Sequence, residues 1–377
     1  MVKEAKDSLI PTTHRCLIVG NYCHDVLIKD DVVIAESLGG AVSFISAVLD
    51  GLSVSSDYIS KVGPDFAYSV NHQPITSPSS KTTVFHAHFL TENKRIDRIL
   101  KRITACDPVE PSDLPNSTFH FGLAVGVGGE ILPETLERMI DMCKVVFVDI
   151  QTLIRVFDPV DGTVSLVHLN QTGFWPLLKK IGFLKASAEE APYVDVEEAR
   201  KWCCVVVTKG KEGCTVYTKH EELSVAPFPA FQVDPTGAGD SFLGGLVAGL
   251  VHGLAIPDVA LLGNFFGSLT VGYIGLPKFD LRLIQRVKDE VLKRSLQHFG
   301  SHEKQEDEPN RLKSLDYEEF LEALSATKGI PAHSIKECKW DLHSSPGALD
   351  QPVYNGHRRL PLNIVCEESI NSVDSKS

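Results

Sequence analysis

The chain lacks most of what would mark a nucleic-acid, membrane or secreted disulfide protein. Across its 377 residues no run of lysine or arginine is dense enough to track a phosphate backbone, and the formal net charge is −12, so no nucleic-acid partner is expected. No stretch approaches the ~18 uninterrupted apolar residues of a membrane span. The opening MVKEAKDSLIPTTHRC carries acidic residues and no apolar centre, unlike a secretory signal. The nine cysteines (Cys16, Cys23, Cys106, Cys143, Cys203, Cys204, Cys214, Cys338, Cys366) are odd in number and contain no C-x-x-C pair. They read as reduced, mostly buried thiols, with the cytoplasm as the expected compartment. The absence of G-x-x-x-x-G-K-[ST] excludes a Walker-type ATPase. Gly126-Val127-Gly128-Gly129 lacks the G-x-G-x-x-G spacing and distal acid of a dinucleotide site. His86 and His88 alternate on a strand without a carboxylate or cysteine partner, so they read as structural.

What remains is the composition of an ordinary globular protein, 43% hydrophobic and 23% charged, with enough apolar residues for a sizeable core. Short apolar runs bounded by turn residues alternate with helical patterns, the signature of βα units around a mostly parallel sheet. The clearest strands are Cys16–Gly20, Thr118–Gly122, Val145–Asp149, Gly182–Lys185 and Cys203–Thr208. Leu132–Met142 and Glu189–Lys201 read as helices between them. Val26–Ile28 and Val32–Ala35, joined at Lys29-Asp30-Asp31, together with Thr82–Leu90, suggest a small β flap apart from the main sheet. After Pro235 the pattern turns helical, over Ser241–His252, Pro257–Tyr273 and Leu281–Phe299. The polar run Ser301–Asn310 and an aperiodic remainder put the end of the folded domain near residue 300. Leu315–Leu324 is expected to form at most one isolated helix.

The most informative segment is Asp234-Pro235-Thr236-Gly237-Ala238-Gly239-Asp240-Ser241-Phe242, followed by the small, apolar run Leu243–Leu250. Glycines at 237 and 239 let backbone amides turn inward at a helix N-terminus, where unpaired N–H groups and the macrodipole favour an anion. Asp240 then falls in the first helical turn, beside whatever the cradle holds. A carboxylate there suits the removal of a proton from an attacking hydroxyl. Taken alone, G-x-G-D is equally well read as an Asp-capped helix after a glycine turn.

The full nine-residue string resembles the signature D-T-x-G-A-G-D-x-F of the ribokinase/PfkB carbohydrate kinases, with Pro235 where Thr is usual. The resemblance extends over residues 15 to about 295. It implies an α/β, ribokinase-like fold: a mostly parallel central sheet with helices on both faces and a small β flap from residues about 25–40 and 82–90. Residues 15–300 would form the kinase domain and 301–377 a polar, poorly ordered extension. It further implies that Asp240 is the catalytic base and that the amides of Gly237, Ala238, Gly239 and Asp240 form the anion hole for the transferring phosphoryl group. Gly20-Asn21-Tyr22-Cys23-His24-Asp25 resembles the family's first strand and its substrate-binding Asp, here Asp25. Ser37-Leu38-Gly39-Gly40-Ala41-Val42-Ser43 resembles its Gly-Gly segment, which assigns Gly39, Gly40 and Ser43 to the acceptor, with Ser43 where Asn is common.

On the donor side, Lys185-Ala186-Ser187-Ala188-Glu189-Glu190 resembles the N-x-x-E segment, with Ser187 in place of Asn. In the family this segment organises Mg²⁺ and phosphates, so Glu190 would act on the metal through water. The same acids would also open the helix Glu189–Lys201 and complement its dipole. Thr208-Lys209-Gly210-Lys211-Glu212-Gly213 resembles the T-x-G-x-x-G nucleotide turn, giving Thr208, Gly210 and Gly213 to ATP. Asn264 matches a position bordering the adenine pocket, and could equally be a buried, satisfied amide. Within the family the chain is most similar to plant myo-inositol kinases, which phosphorylate the 3-hydroxyl, through the segments around Asp25, Val148-Asp149-Ile150-Gln151, Lys185–Glu190 and Gly275-Leu276-Pro277-Lys278-Phe279. The implied reactants are a small polyol, ATP and Mg²⁺, on a monomer or homodimer. A ribose, fructose or nucleoside kinase is the rival enzyme. A catalytically silent, structural member is the other alternative, although Gly237, Gly239 and Asp240 are intact.

Overall fold

The computed structural model describes residues 15–89, 98–301 and 312–329. The chain enters a central sheet with β1 (Cys16–Val19), leaves it for the hairpin β2 (Cys23–Lys29) and β3 (Val32–Gly39), and returns through α1 (Ala41–Gly51) to β4 (Ser56–Ile59). A minimal parallel pair, β5 (Lys61–Val62) and β6 (Ile75–Thr76), precedes β7 (Thr83–Phe89) and β8 (Arg98–Thr104). Next come β9 (Phe119–Ala124), α2 (Pro133–Met142), β10 (Cys143–Asp149), the one-turn α3 (Gln151–Ile154), the hairpin β11 (Arg155–Phe157) and β12 (Val164–Leu166), and β13 (Phe183–Ser187). The one-turn α4 (Val196–Ala199), then β14 (Cys204–Thr208), β15 (Cys214–Tyr217) and β16 (Glu222–Val225), complete the sheet. Four long helices follow: α5 (Ala238–Val251), α6 (Ile256–Thr270), α7 (Leu281–Ser301) and α8 (Leu312–Lys328).

The central sheet has eight strands in the order β16-β15-β14-β13-β10-β9-β1-β4. From β4 to β14 every pairing is parallel, and β15 and β16 add an antiparallel edge. Its strands are apolar on both faces, as parallel strands covered by helices must be. Cys16 and Ile18 of β1, Val145 and Phe147 of β10 and Cys204 and Val206 of β14 join one core with α1, α5, α6 and α7. The alternate residues Leu17, Val19, Val146, Val148, Val205 and Val207 pack into a second core with α2. This period of two within continuous apolar runs is why the runs read as strands yet bury both faces.

The flap is a separate four-stranded sheet, β3-β2-β7-β8. Its first hairpin turns on Asp30 and Asp31, both with positive φ (48° and 62°), a conformation that Asp tolerates better than most residues. The β8 strand carries no pattern that stood out in the sequence, and Leu90, expected to end the preceding strand, lies outside the described residues.

Two sequence expectations need correction. Glu189–Lys201 is not one helix but a 3₁₀ turn, Ala191–Tyr193, followed by α4. Pro192 has no N–H to continue a helical ladder, and Asp195 restarts the helix by accepting from the Glu198 amide at 3.0 Å. The folded chain also does not stop near residue 300. In α8, Tyr317, Phe320, Leu321 and Leu324 follow the i, i+3, i+4, i+7 spacing of a buried helical face and belong to the main core. Arg294 of α7, ion-paired with Asp258 of α6 at 2.9 Å, stacks over the Phe320 ring. The residues 302–311 and 330–377 of the expected extension lie outside the described residues.

Candidate active site

Ligand sites of open parallel sheets lie at the carboxyl ends of the strands. Here those ends carry Ala124, Asp149, Ser187 and Thr208, from β9, β10, β13 and β14. The N-terminus of α5 lies over this edge. Gly237 caps that helix with φ 75°, the left-handed region that favours glycine, and a Cβ there would lie 2.1 Å from the Phe44 ring. Both the backbone angle and the space therefore require glycine. Asp240, in the first turn of α5, receives a hydrogen bond on Oδ1 from Gln151 Nε2 at 3.3 Å.

Beneath this turn sits a buried ion pair, Lys185 Nζ to Asp149 Oδ2 at 2.9 Å. A Cβ on Gly239 would approach Lys185 Nζ to 2.6 Å, so the ammonium lies directly against the cradle. Burial pushes the Asp149 carboxyl up to about 6 while Lys185 pulls it down. Burial alone would lower Lys185, but the carboxylates of Asp149, Glu190 and Asp240 hold it protonated, above the ordinary lysine value. The site thus contains a fixed cation, the right charge for a phosphoryl group.

Between α5 and the flap lies an open cleft of about 550 Å³, including its mouth. Asp25, Gln151, Arg155, Thr236 and Asp240 give it polar groups. Leu27, Phe85, Ala87 and Leu100 of the flap, with Val127 and Phe44, give it an apolar wall. Of the residues singled out in the sequence, Asp25, Gly40, Gly237 and Asp240 meet at this cleft. Gly39 lies behind Asp25, and a Cβ there would come within 2.0 Å of the Asp25 carboxylate. Ser43 does not reach the cleft. Its side chain is buried in α1, and its hydroxyl donates to the Gly40 carbonyl at 2.7 Å.

The residues that the resemblance assigns to the donor form a second group along the same sheet edge. Ser187 and Thr208 are register partners on β13 and β14. Gly210 and Gly213 bound the 3₁₀ turn from β14 to β15. The Ser187 amide donates to Glu190 Oε2 at 2.8 Å, while the Glu190 amide donates to Ser187 Oγ at 3.2 Å. Asn264 uses its Nδ2 to donate to the Val225 and Ala226 carbonyls at 3.2 and 2.8 Å, a satisfied amide that fixes the chain leaving β16.

Asp149, Gln151 and Lys185 stand in segments that carry the family likeness but, like Arg155, were given no site role by the sequence. Asp149 and Lys185 close predicted strands, which is where a parallel sheet gathers its chemistry, and that position was the available signal. Arg155 had none, since it reaches the cleft only through the one-turn α3. Among the described residues no group of three or more His, Cys, Asp or Glu side chains is arranged to hold a metal ion. No helix among them is long and apolar enough to cross a membrane.

The family model for the pfkB family carbohydrate kinases matches residues 184–278, the stretch that holds Lys185, the turn from β14 to β15 and the N-terminus of α5. An Arabidopsis thaliana protein named inositol 3-kinase is 59% identical over 319 residues, covering 83% of this chain and 87% of its own. This chain belongs to the pfkB carbohydrate kinase family. A second plant member, the Oryza sativa inositol 3-kinase, is 51% identical over 302 residues, 76% of each chain. Solved structures share the pfkB-family fold at lower identity. A pyrophosphate-dependent kinase of the ribokinase family, complexed with a pyrophosphate analogue and myo-inositol, has a TM-score of 0.59 at 18% identity and covers 70% of this chain and 97% of its own. The Methanocaldococcus jannaschii nucleoside kinase has a TM-score of 0.56 at 20% identity, covering 76% and 99%. As a pfkB-family member the chain is a phosphotransferase with an alcohol acceptor, and its α/β architecture is ribokinase-like.

Proposed function

We propose that this enzyme transfers the terminal phosphoryl group of ATP to a hydroxyl of myo-inositol, giving inositol 3-phosphate and ADP. The observation that carries the reading is the single cleft in which Asp25 and Asp240 face a common space beside the Gly237 turn. Similarity to plant inositol 3-kinases over most of the chain supplies the acceptor.

In this reading Asp25 accepts hydrogen bonds from two neighbouring hydroxyls and sets the ring in the cleft. Asp240, oriented by Gln151, accepts the proton of the reacting hydroxyl as its oxygen attacks the terminal phosphorus. The new P–O bond forms as the bond to the ADP oxygen breaks. The amides of Gly237, Ala238, Gly239 and Asp240 and the Lys185 ammonium face the charge on the transferring group. Ser187, Thr208, Gly210 and Gly213 line the donor side, and Asn264 shapes its edge through the Val225–Ala226 backbone. Glu190, a hard oxygen donor beside the Asp149 and Asp240 carboxylates that share Lys185, suits a Mg²⁺ that keeps most of its waters. Glu190 would hold that ion through water, and the ion would neutralise phosphate charge. Ser43 serves the site by fixing the Gly40 carbonyl.

The test is ADP release with ATP and a panel of myo-inositol, ribose, fructose and adenosine. The reading expects myo-inositol to give the highest kcat/KM. A better ribose, fructose or adenosine substrate overturns the acceptor and leaves the kinase chemistry standing.

A further inference from the structure

The glycine-rich turn after β9, Gly126-Val127-Gly128-Gly129, closes around an anion of its own. The Glu130 side chain is buried, 3% exposed, and its carboxylate accepts from backbone amides of two parts of the chain. The Asn21 amide donates to Oε1 at 2.9 Å, the Gly128 amide to Oε2 at 2.6 Å, and the Val127 amide to both oxygens at 3.1 Å. Asn21 lies where the chain passes from β1 of the central sheet to β2 of the flap. Successive amides converging on one point form an anion-binding nest, here filled by the protein's own carboxylate.

In a trans peptide the N–H and the C=O point in opposite directions. The Val127 and Gly128 amides that turn in to Glu130 therefore turn the carbonyls of Gly126 and Val127 outward. Both outward carbonyls meet the segment of α3 and the start of β11. Thr152 Oγ1 donates to the Gly126 carbonyl at 3.0 Å, and Arg155 Nη1 to the Val127 carbonyl at 3.4 Å. That segment begins with Gln151, whose side chain donates to Asp240. Val127, Gln151 and Arg155 line the cleft, and Glu130 stands behind them. The next carbonyl, of Gly128, receives Arg102 Nη1 from β8 of the flap, and the same guanidinium stacks 3.5 Å from the centre of the Phe157 ring. Gly129 has φ 83°, and a Cβ there would lie 3.2 Å from Arg102 Nη1, so this corner of the flap is seated on bare backbone.

We propose that Glu130 is a positioning residue for phosphoryl transfer: it sets the carbonyls of the Gly126–Gly129 turn that hold Thr152 and Arg155, and through that segment keeps Gln151 on Asp240. This inference rests on the reading of Asp240 as the base.

The test is Glu130→Gln, which keeps the side chain's shape and sets an NH₂ group against a backbone amide. It is assayed with ATP and whichever of myo-inositol, ribose, fructose and adenosine the native enzyme uses best, so a wrong acceptor leaves the comparison intact. Losing a buried hydrogen bond to a charged group should lower kcat by about tenfold or more, with KM for ATP within a few-fold of native. A residue serving stability alone would lower the thermal midpoint and leave kcat per folded enzyme unchanged, and that result overturns the inference. Thr152→Val removes one hydroxyl from the link and should lower kcat by about two- to tenfold. Native kcat in Thr152→Val overturns the link even where Glu130→Gln does not fold. The double variant should lose less than the product of the two single losses, because both act along one chain of contacts; the full product overturns it. Asp240→Asn at near-native kcat overturns the reading of the base, and this inference with it, whatever the Glu130 and Thr152 variants show.

Discussion

The two walls of the cleft are built differently: the Gly237–Asp240 turn from backbone over one buried cation, the flap wall from side chains on a sheet of its own. In the proposed reading the first faces the donor and the second the acceptor. At Gly237–Asp240 the functional groups are amides of a helix turn, supported by the Lys185–Asp149 pair at the ends of two core strands. At the flap they are Asp25, Leu27, Phe85, Ala87 and Leu100, drawn from three strands that pair with one another and not with the central sheet. In the proposed reading the chemistry common to phosphoryl transfer sits on the part anchored in the central sheet, and the choice of acceptor sits on the flap, whose side chains can change without disturbing the cradle.

The largest effect should come from the α5 turn. Asp240→Asn removes the proposed base and should lower kcat by about 10²- to 10⁴-fold, with ATP affinity nearly unchanged in a nucleotide titration. Activity within a few-fold of native would remove Asp240 from that role. Lys185→Met should cost both rate and stability, because it strands the buried Asp149 carboxylate. Breaking such a pair costs about 3–5 kcal/mol, read as a fall in chemical-denaturation stability. The double variant Lys185→Met, Asp149→Asn should recover much of the stability and little of the rate. Recovery of both would make the pair structural only.

Truncation after residue 301 should destabilise the chain, with a chain ending at Gly329 as the control. Phe320, Leu321 and Leu324 are each buried in the main core, and burial of such side chains is worth about 1.5–3 kcal/mol apiece. A truncated protein with unchanged thermal midpoint would show that α8 is dispensable. The smallest effect concerns Lys328, whose pKa burial pushes down to about 8 while its ammonium donates to the Pro229 and Ser268 oxygens. The unfolded chain binds more protons than the folded one between about pH 8 and the ordinary lysine value, so this group makes stability rise with pH across that window. Lys328→Met should flatten the rise, measured as thermal midpoint against pH.

The same contrast explains what the sequence made legible. The cradle is one contiguous string, with Gly237 demanded by its backbone angle and Gly239 by the close approach of Lys185, so it is readable residue by residue. The parallel strands are readable because Leu17, Ile18, Val205 and Val206 alternate between two cores within unbroken apolar runs. The acceptor wall was not readable. Leu27, Ala87 and Leu100 lie far apart in the chain and become neighbours only through β2–β7 and β7–β8 pairing. The break in the segment after β13 was legible at Pro192, which cannot continue a helical ladder. The short amphipathic stretch of α8 looked isolated because its partners on α6 and α7 are not local in sequence.

Initial-rate kinetics of Asp25→Ala, varying ATP and myo-inositol separately, test the division between the two sides most directly. Losing the proposed contact to two hydroxyls in the cleft should lower kcat/KM for the acceptor by about 10²-fold, with KM for ATP within a few-fold of native. An equal loss toward ATP would place Asp25 on the donor side and contradict the division of the cleft.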